Sequence, residues 1–177
     1  EAGVNERYLL EWLSSNAGRG DVTYDEDSCE FSLSPEQAAV FAREEEPTCI
    51  QGLIQGVVGQ FVREDVAVDV FRTGRGRPWG EHHECCFCGT ERFFRPAYAG
   101  HLLSEWIPAL EGVEAKLKAG AKVADMGCGL GTSSLLMAEH FPNSTIHAYD
   151  FHAPSIEEAK RRAMEKGLSN LEFFVSD

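Results

Sequence analysis

Three short features in the last third of the chain have the residue types and spacing to do chemistry together. Gly127-Cys128-Gly129-Leu130-Gly131 follows at once on a short apolar strand, Val123-Ala124-Asp125-Met126. Residues without side chains at a strand's carboxyl end let the backbone pass close to a ligand. Asp150 stands nineteen residues after Gly131, at the end of a second apolar run, Thr145 to Tyr149. A carboxylate there can accept from both hydroxyls of a ribose. A third run, Leu171 to Val175, ends at Ser176 and Asp177, where an acid can accept from an adenine amino group. The three positions outline a slot shaped for adenosine.

The elements that hold them follow from periodicity. Thr132 or Ser133 is expected to cap a helix carrying Leu135, Leu136, Met137 and Phe141, which Pro142 stops. Ser155 and Glu158 have capping-box spacing for a second helix with Ile156, Ala159, Ala163 and Met164, closed by Gly167. Strand, helix, strand, helix, strand is half of a doubly wound sheet, so the fold class is α/β with an incomplete Rossmann-like sheet. A dinucleotide fingerprint would put glycine where Thr132 stands, and a P-loop needs a lysine that this loop lacks. The plain alternative is a glycine turn that serves only helix–strand packing.

Upstream, three regions are expected: a partial winged helix over 1–48, a helical dimerisation and lid region over 49–119, and the nucleoside-binding region over 120–177. In the first, Tyr8, Leu9, Trp12 and Leu13 form one helical face ended by Gly18 and Gly20. Val22-Thr23-Tyr24 and Phe31-Ser32-Leu33 then make a hairpin, and Ser34-Pro35-Glu36-Gln37 opens another helix. That order is the back half of a winged helix. Residues 1–48 nevertheless hold twelve acidic residues against three basic ones, a net charge of −9. Such a surface repels phosphates, which disfavours nucleic acid as a partner.

In the second region, Ile50, Leu53, Ile54, Val57, Val58, Phe61 and Val62 form one broad helical stripe. Gly52, Gly56 and Gly59 within it permit close approach of another backbone. A buried core helix and a helix packed on a partner subunit both fit. His82, His83, Cys85, Cys86 and Cys88 are crowded together with no second ligand pair of zinc spacing, so no metal is expected. Leu102, Leu103, Trp106 and Ile107 give a further face, after which Pro108 can open a helix with Leu110, Val113 and Leu117 inward.

The 177 residues carry a net charge of −13, and no apolar run approaches the length of a membrane span. The six cysteines read as cytosolic thiols, so a cytoplasmic location is expected. Glu1-Ala2-Gly3 has neither Met nor a secretion signal, and both ends read as cut.

The pattern Asp-x-Gly-x-Gly-x-Gly from Asp125 to Gly131 resembles motif I of class I S-adenosylmethionine-dependent methyltransferases. With Tyr149-Asp150-Phe151-His152-Ala153-Pro154-Ser155-Ile156, it looks like the bacterial members with an N-terminal winged helix, some of which are labelled transcriptional regulators. Arg92-Phe93-Phe94-Arg95-Pro96-Ala97-Tyr98 resembles the helix that covers the cofactor in that group. The resemblance implies S-adenosyl-L-methionine as cofactor, a small-molecule methyl acceptor and a homodimer. It implies that Gly127 and Gly129, with Cys128 and Gly131 completing the loop, line the methionine part while Asp125 orients its amino group. Asp150 would hold the ribose, Phe151 pack on adenine, Ser176 and Asp177 meet its amino edge, and Tyr98 with His101 face the methyl group. The family's sheet has seven strands in the order 3-2-1-4-5-7-6, and its substrate and base residues follow the fourth. No catalytic residue is therefore assigned, strand one is expected at a sheet edge, and the chain reads as a fragment inactive by itself. The alternative is a regulator that senses the cofactor.

Overall fold

The structure is a computed structural model that describes residues 3–176. The chain divides into two compact units, Glu1–Ile50 and Gln51–Asp177. In the first, α1 (Glu6–Arg19) begins where the Asn5 side chain accepts from the Arg7 amide at 3.0 Å and ends at Gly20, which takes φ 82°. Gly18 lies inside the helix, so only the second of the two expected stops acts. β1 (Thr23–Asp25) and β2 (Glu30–Ser32) pair antiparallel, with Tyr24 opposite Phe31 and their rings 4.7 Å apart. α2 (Pro35–Phe41) starts with the full capping box: Ser34 accepts from the Gln37 amide and the Gln37 side chain accepts from the Ser34 amide. The helix–hairpin–helix order is as expected.

The second unit opens with α3 (Gln51–Phe61) and α4 (Glu64–Thr73), and after a 3₁₀ turn at Trp79–Glu81 comes α5 (Glu84–Ala97). His83 caps α5 by accepting from the Cys85 amide at 3.2 Å, a structural role for one member of the Cys/His cluster. The broadest helix packing in the unit is α3 against α5. It runs through glycine: a Cβ on Gly89 would overlap the Gly56 backbone, one on Gly52 the Phe93 amide, and one on Gly59 would come within 2.8 Å of the Cys86 amide. The backbone that the small residues admit is therefore the chain's own. The apolar stripe lies on the other side, with Leu53 48%, Ile54 51%, Val57 46% and Phe61 73% exposed. This removes the expectation of a helix buried by that stripe, because helices that meet backbone to backbone bury their smallest face.

α5 carries Pro96 inside it, and the chain continues as a π-helical segment, Tyr98–Trp106. Proline withdraws one amide from the α ladder, and the wider i→i+5 bonds follow, as in Ile107 N–H to Leu102 O at 3.0 Å. Pro108 opens no helix: turns lead to α6 (Val113–Ala119), whose N-cap is Gly112 at φ 72°. Leu110 is 55% exposed, while Leu117 is buried against Ile107 and Phe141.

β3 (Lys122–Met126), α7 (Thr132–His140), β4 (Thr145–Asp150), α8 (Ala153–Glu165) and β5 (Leu171–Val175) complete the unit. The strands are parallel in the order β3-β4-β5, in register from Lys122–Thr145 and Ile146–Leu171. The expected half-sheet forms, with the first of its strands at an edge. Ile146 and Ala148 on the central strand are fully buried among Leu135 and Ala138 of α7, Ile156, Ala159 and Ala163 of α8, and Phe173. Neither helix starts as expected. α7 follows Gly131 at φ 80° and α8 follows His152, both without a side-chain cap, because the hydroxyls in question are engaged elsewhere.

Candidate active site

The carboxyl ends of β3 and β4 place the predicted residues around one cavity of ≈ 470 Å³. The glycine loop is tied to the end of the central strand: the Gly127 and Cys128 amides both donate to Tyr149 O, at 2.8 and 3.0 Å. Gly127, Gly129 and Gly131 all take positive φ, at 78°, 53° and 80°, which L side chains rarely adopt. Their surroundings differ. A Cβ on Gly127 or Gly129 would meet nothing within 4 Å, whereas one on Gly131 would press on the Phe173 ring at 2.8 Å and on Ala159 at 3.0 Å. The first two leave space on the cavity side, and the third is needed for packing.

Two carboxylates brace the loop. Asp150 accepts from the Gly129 amide through Oδ2 and from the His152 amide through Oδ1, each at 2.8 Å. A carboxylate offers about four lone-pair sites, so two backbone bonds fix its orientation and leave capacity for a ligand's hydroxyls. Asp125 accepts the hydroxyls of Ser133 and Ser134 on one oxygen, at 2.7 and 2.6 Å. Of the two hydroxyls expected to cap α7, Ser133 thus drops onto β3 and pins the helix start beside the loop, while Thr132 donates to Glu91. Ser155, likewise expected in a capping box, is buried with its Oγ 2.7 Å from His152 Nδ1.

Cys128 lines the cavity but belongs to the core, and burial, reinforced by the charges of Asp125 and Asp150, pushes its thiol up to about 12. It is a neutral, inert thiol at physiological pH. Phe151 lines the cavity with half its surface exposed, as an aromatic platform beside Asp150. Tyr98 lines it from the π-helical segment. His101, expected beside Tyr98, instead lies 3.1 Å from Glu105 and against Trp106, outside the cavity lining. Ser176 is exposed and its amide donates to Asp150 O at 3.1 Å, which places it near the site but not in the cavity lining. Asp177 lies outside the described residues.

The wall that faces the loop comes from the helix expected to cover it, and Phe94 and Tyr98 lie in the expected segment 92–98, but Trp79, Phe87 and Glu91 stand outside that segment. Trp79, Phe87, Glu91 and Phe94 line the cavity together with Tyr98. Phe87 packs against His152 with ring centroids 4.5 Å apart and the planes tilted by 35°, and Trp79 meets Phe87 at 5.3 Å. Glu91 reaches Thr132 and Arg162, at 2.9 and 3.2 Å. Nothing local marks these residues; the spacing of Phe87, Glu91, Phe94 and Tyr98 at three and four is the one trace of a shared helical face.

Residues 117–177 match a family model described as a methyltransferase domain, and residues 1–43 match one described as an Rv2258c-like winged HTH domain. The chain is thus similar to a winged helix-turn-helix domain near its start and to a methyltransferase domain over its last third. Aklanonic acid methyltransferase DauC of Streptomyces sp. (strain C5) is 37% identical over 59 residues, 33% of this chain and 27% of that protein. An O-methyltransferase family protein from Burkholderia thailandensis shares the fold across 99% of this chain and 52% of its own, with 15% identity and a TM-score of 0.64. The mitomycin 7-O-methyltransferase MmcR does so across 99% and 53%, with 16% identity and a TM-score of 0.63. The chain spans about half the length of these two solved structures. Among the described residues, no helix is long and apolar enough to cross a membrane.

Proposed function

We propose that this chain binds S-adenosyl-L-methionine and serves a methyltransferase acting on a small molecule. The observation that carries the reading is the contrast within the loop: Gly127 and Gly129 open onto the cavity with Asp150 fixed beside them, as an adenosyl ligand requires. The residues fit that ligand. Asp150 has acceptor capacity for a ribose, Phe151 offers a face for adenine, and the loop backbone can approach the methionine part. Asp125, which anchors the helix start after the loop, would orient the amino group, and Tyr98 in the cavity lining would face the methyl group. Bound S-adenosylmethionine supplies a methyl group already activated on a sulfonium, so the protein's contribution is alignment and exclusion of water. The aromatic wall of Trp79, Phe87, Phe94 and Tyr98 supports the second of these. The methyltransferase-domain match supports the transfer reading, and the small molecule in DauC's name supports the acceptor class. The exposed stripe of α3 supports a homodimer formed through residues 49–119. Equilibrium dialysis with labelled S-adenosylmethionine, competed by nicotinamide dinucleotides, tests the cofactor. Saturable binding that the dinucleotides leave intact is expected, and displacement by them would refute it.

A second reading is a regulator whose pocket senses the cofactor, favoured by the winged helix-turn-helix match over 1–43. The acidic balance of that region opposes it. Salt-dependent affinity for duplex DNA would favour the regulator, and its absence the enzyme.

A further inference from the structure

Glu91 sits on α5 in the cavity wall, with its side chain only 12% exposed. One oxygen, Oε1, accepts from the Thr132 hydroxyl at 2.9 Å and from Arg162 Nη1 at 3.2 Å. Thr132 is the first residue of α7, immediately after Gly131, and Arg162 lies on α8, the helix that follows Asp150. A single carboxylate therefore joins the wall to both helices that leave the cavity floor. Arg162 is held from its other side, where its Nε donates to Glu158 Oε1 at 2.9 Å, so the guanidinium is oriented before it meets Glu91. Glu91 also places negative charge at the start of α7, where the N-cap Gly131 has no side chain to offer.

The body of α5 packs elsewhere, backbone to backbone on α3. The two helices form one stiff piece, and its attachments to the sheet half of the unit include Phe87 on His152 and Glu91 on Thr132 and Arg162. The first stands beside Asp150 and the second beside the glycine loop. The segment 98–106 that continues α5 also packs on α7, so detaching the second loosens the wall locally, beside the loop where the methionine end of an adenosyl ligand would lie.

We propose that Glu91 is a positioning residue: it latches α5 to the start of α7 and so holds the wall against which the adenosyl ligand is retained. The inference rests on the adenosyl reading of the cavity. The latch touches no reacting atom. It acts by slowing separation of the wall from the loop, so its loss appears mainly as faster ligand dissociation.

The test uses the whole protein with S-adenosylhomocysteine as the probe, and compares wild type with Glu91→Ala, Glu91→Gln, Thr132→Val and Arg162→Met. Glu91→Ala is expected to weaken binding about tenfold, chiefly through the dissociation rate, as loss of charge-assisted hydrogen bonds implies. Thr132→Val and Arg162→Met are expected to cost about threefold each, and Glu91→Gln, which keeps an acceptor for Thr132, to fall between wild type and Glu91→Ala. The double variant Glu91→Ala/Thr132→Val is expected to be no worse than Glu91→Ala alone, because one interaction cannot be lost twice. Hydrogen exchange separates a latch from a merely structural ion pair. Ligand is expected to slow exchange across 84–97 in wild type, with the effect lost in Glu91→Ala and partly restored in Glu91→Gln. A lowered Tm with that protection intact would overturn the latch. So would wild-type affinity and dissociation in Thr132→Val and Arg162→Met, which carry the test if Glu91→Ala does not fold. Binding by wild type with unchanged variants removes the latch alone, whereas no binding by wild type removes the adenosyl reading and the latch with it.

Discussion

Glycine does opposite work in the two halves of the second unit. On α3 and α5, Gly52, Gly59 and Gly89 are small so that protein can fill the space, and a Cβ there would strike another backbone. In the loop after β3, Gly127 and Gly129 are small and the space stays open, under a wall of aromatic side chains. The same residue type thus marks a joint in one place and a ligand cradle in the other. Backbone angle separates them as well: the cradle glycines need positive φ, whereas the α3 and α5 glycines have none and need only their size.

That contrast orders the expected effects. Gly89→Ala is expected to be the most damaging, because its Cβ overlaps main-chain atoms of Gly56 that cannot yield; a loss of about 3 kcal/mol by chemical denaturation is anticipated. A loss below ~1 kcal/mol would mean the helices can separate freely and would break the comparison. Gly131→Ala combines φ 80° with pressure on the Phe173 ring at 2.8 Å, and about 2 kcal/mol is expected. Gly129→Ala pays only the backbone term, ~1 kcal/mol of stability, yet should lower affinity for S-adenosylhomocysteine by more than about tenfold. If its stability falls as far as that of Gly131→Ala while binding survives, the two glycines do not differ as described.

Smaller effects sharpen the picture of the opposite helix face. Phe61→Gln together with Val57→Gln should change the stability of the isolated subunit, measured at concentrations where it is monomeric, by less than ~0.5 kcal/mol, since both side chains are exposed within the single chain. Sedimentation should instead show a dimer giving way to monomer; a dimer unaffected by the change would put the subunit contact elsewhere. Smallest is a pH effect at Glu158, whose carboxyl is held down at about 2 by hydrogen bonds from Arg161, then Arg162. Its folded pKa is lowered, so its contribution is present above the ordinary value of 4.5 and fades as pH falls from there toward 2. Solvent screening keeps it small, and Glu158→Gln should flatten the acid limb of a stability profile only slightly.

Much of this was legible in the chain itself. Strand, glycine loop and helix from 122 to 140 and the Ser34–Gln37 capping box follow from local spacing that tertiary structure leaves unchanged, whereas the order of the three strands is implied by the family resemblance alone. The hydroxyls of Thr132, Ser133 and Ser155 do not cap because a hydroxyl next to a helix start has other partners: Glu91 and Asp125 come into reach with folding, and His152 competes from three residues away. At α3 the close approach of another backbone to Gly52 and Gly59 is legible in the glycines themselves, whereas the stripe does not tell which partner covers it: a hydrophobic stripe marks what gains by burial, and absent side chains mark where backbone can come near. Glu91, Trp79 and Phe87 share the cavity with residues from 125 to 155, and no spacing within the chain reports so distant a meeting.

The most direct measurement is calorimetric titration of S-adenosylhomocysteine into the protein and into Asp150→Asn. The amide keeps an oxygen to accept from a backbone N–H but loses the charge and acceptor capacity on which a ribose depends. Binding to the wild-type protein, weakened at least about tenfold in Asp150→Asn, is the result this account requires. Equal affinity in the two proteins, or no heat from either, would contradict it.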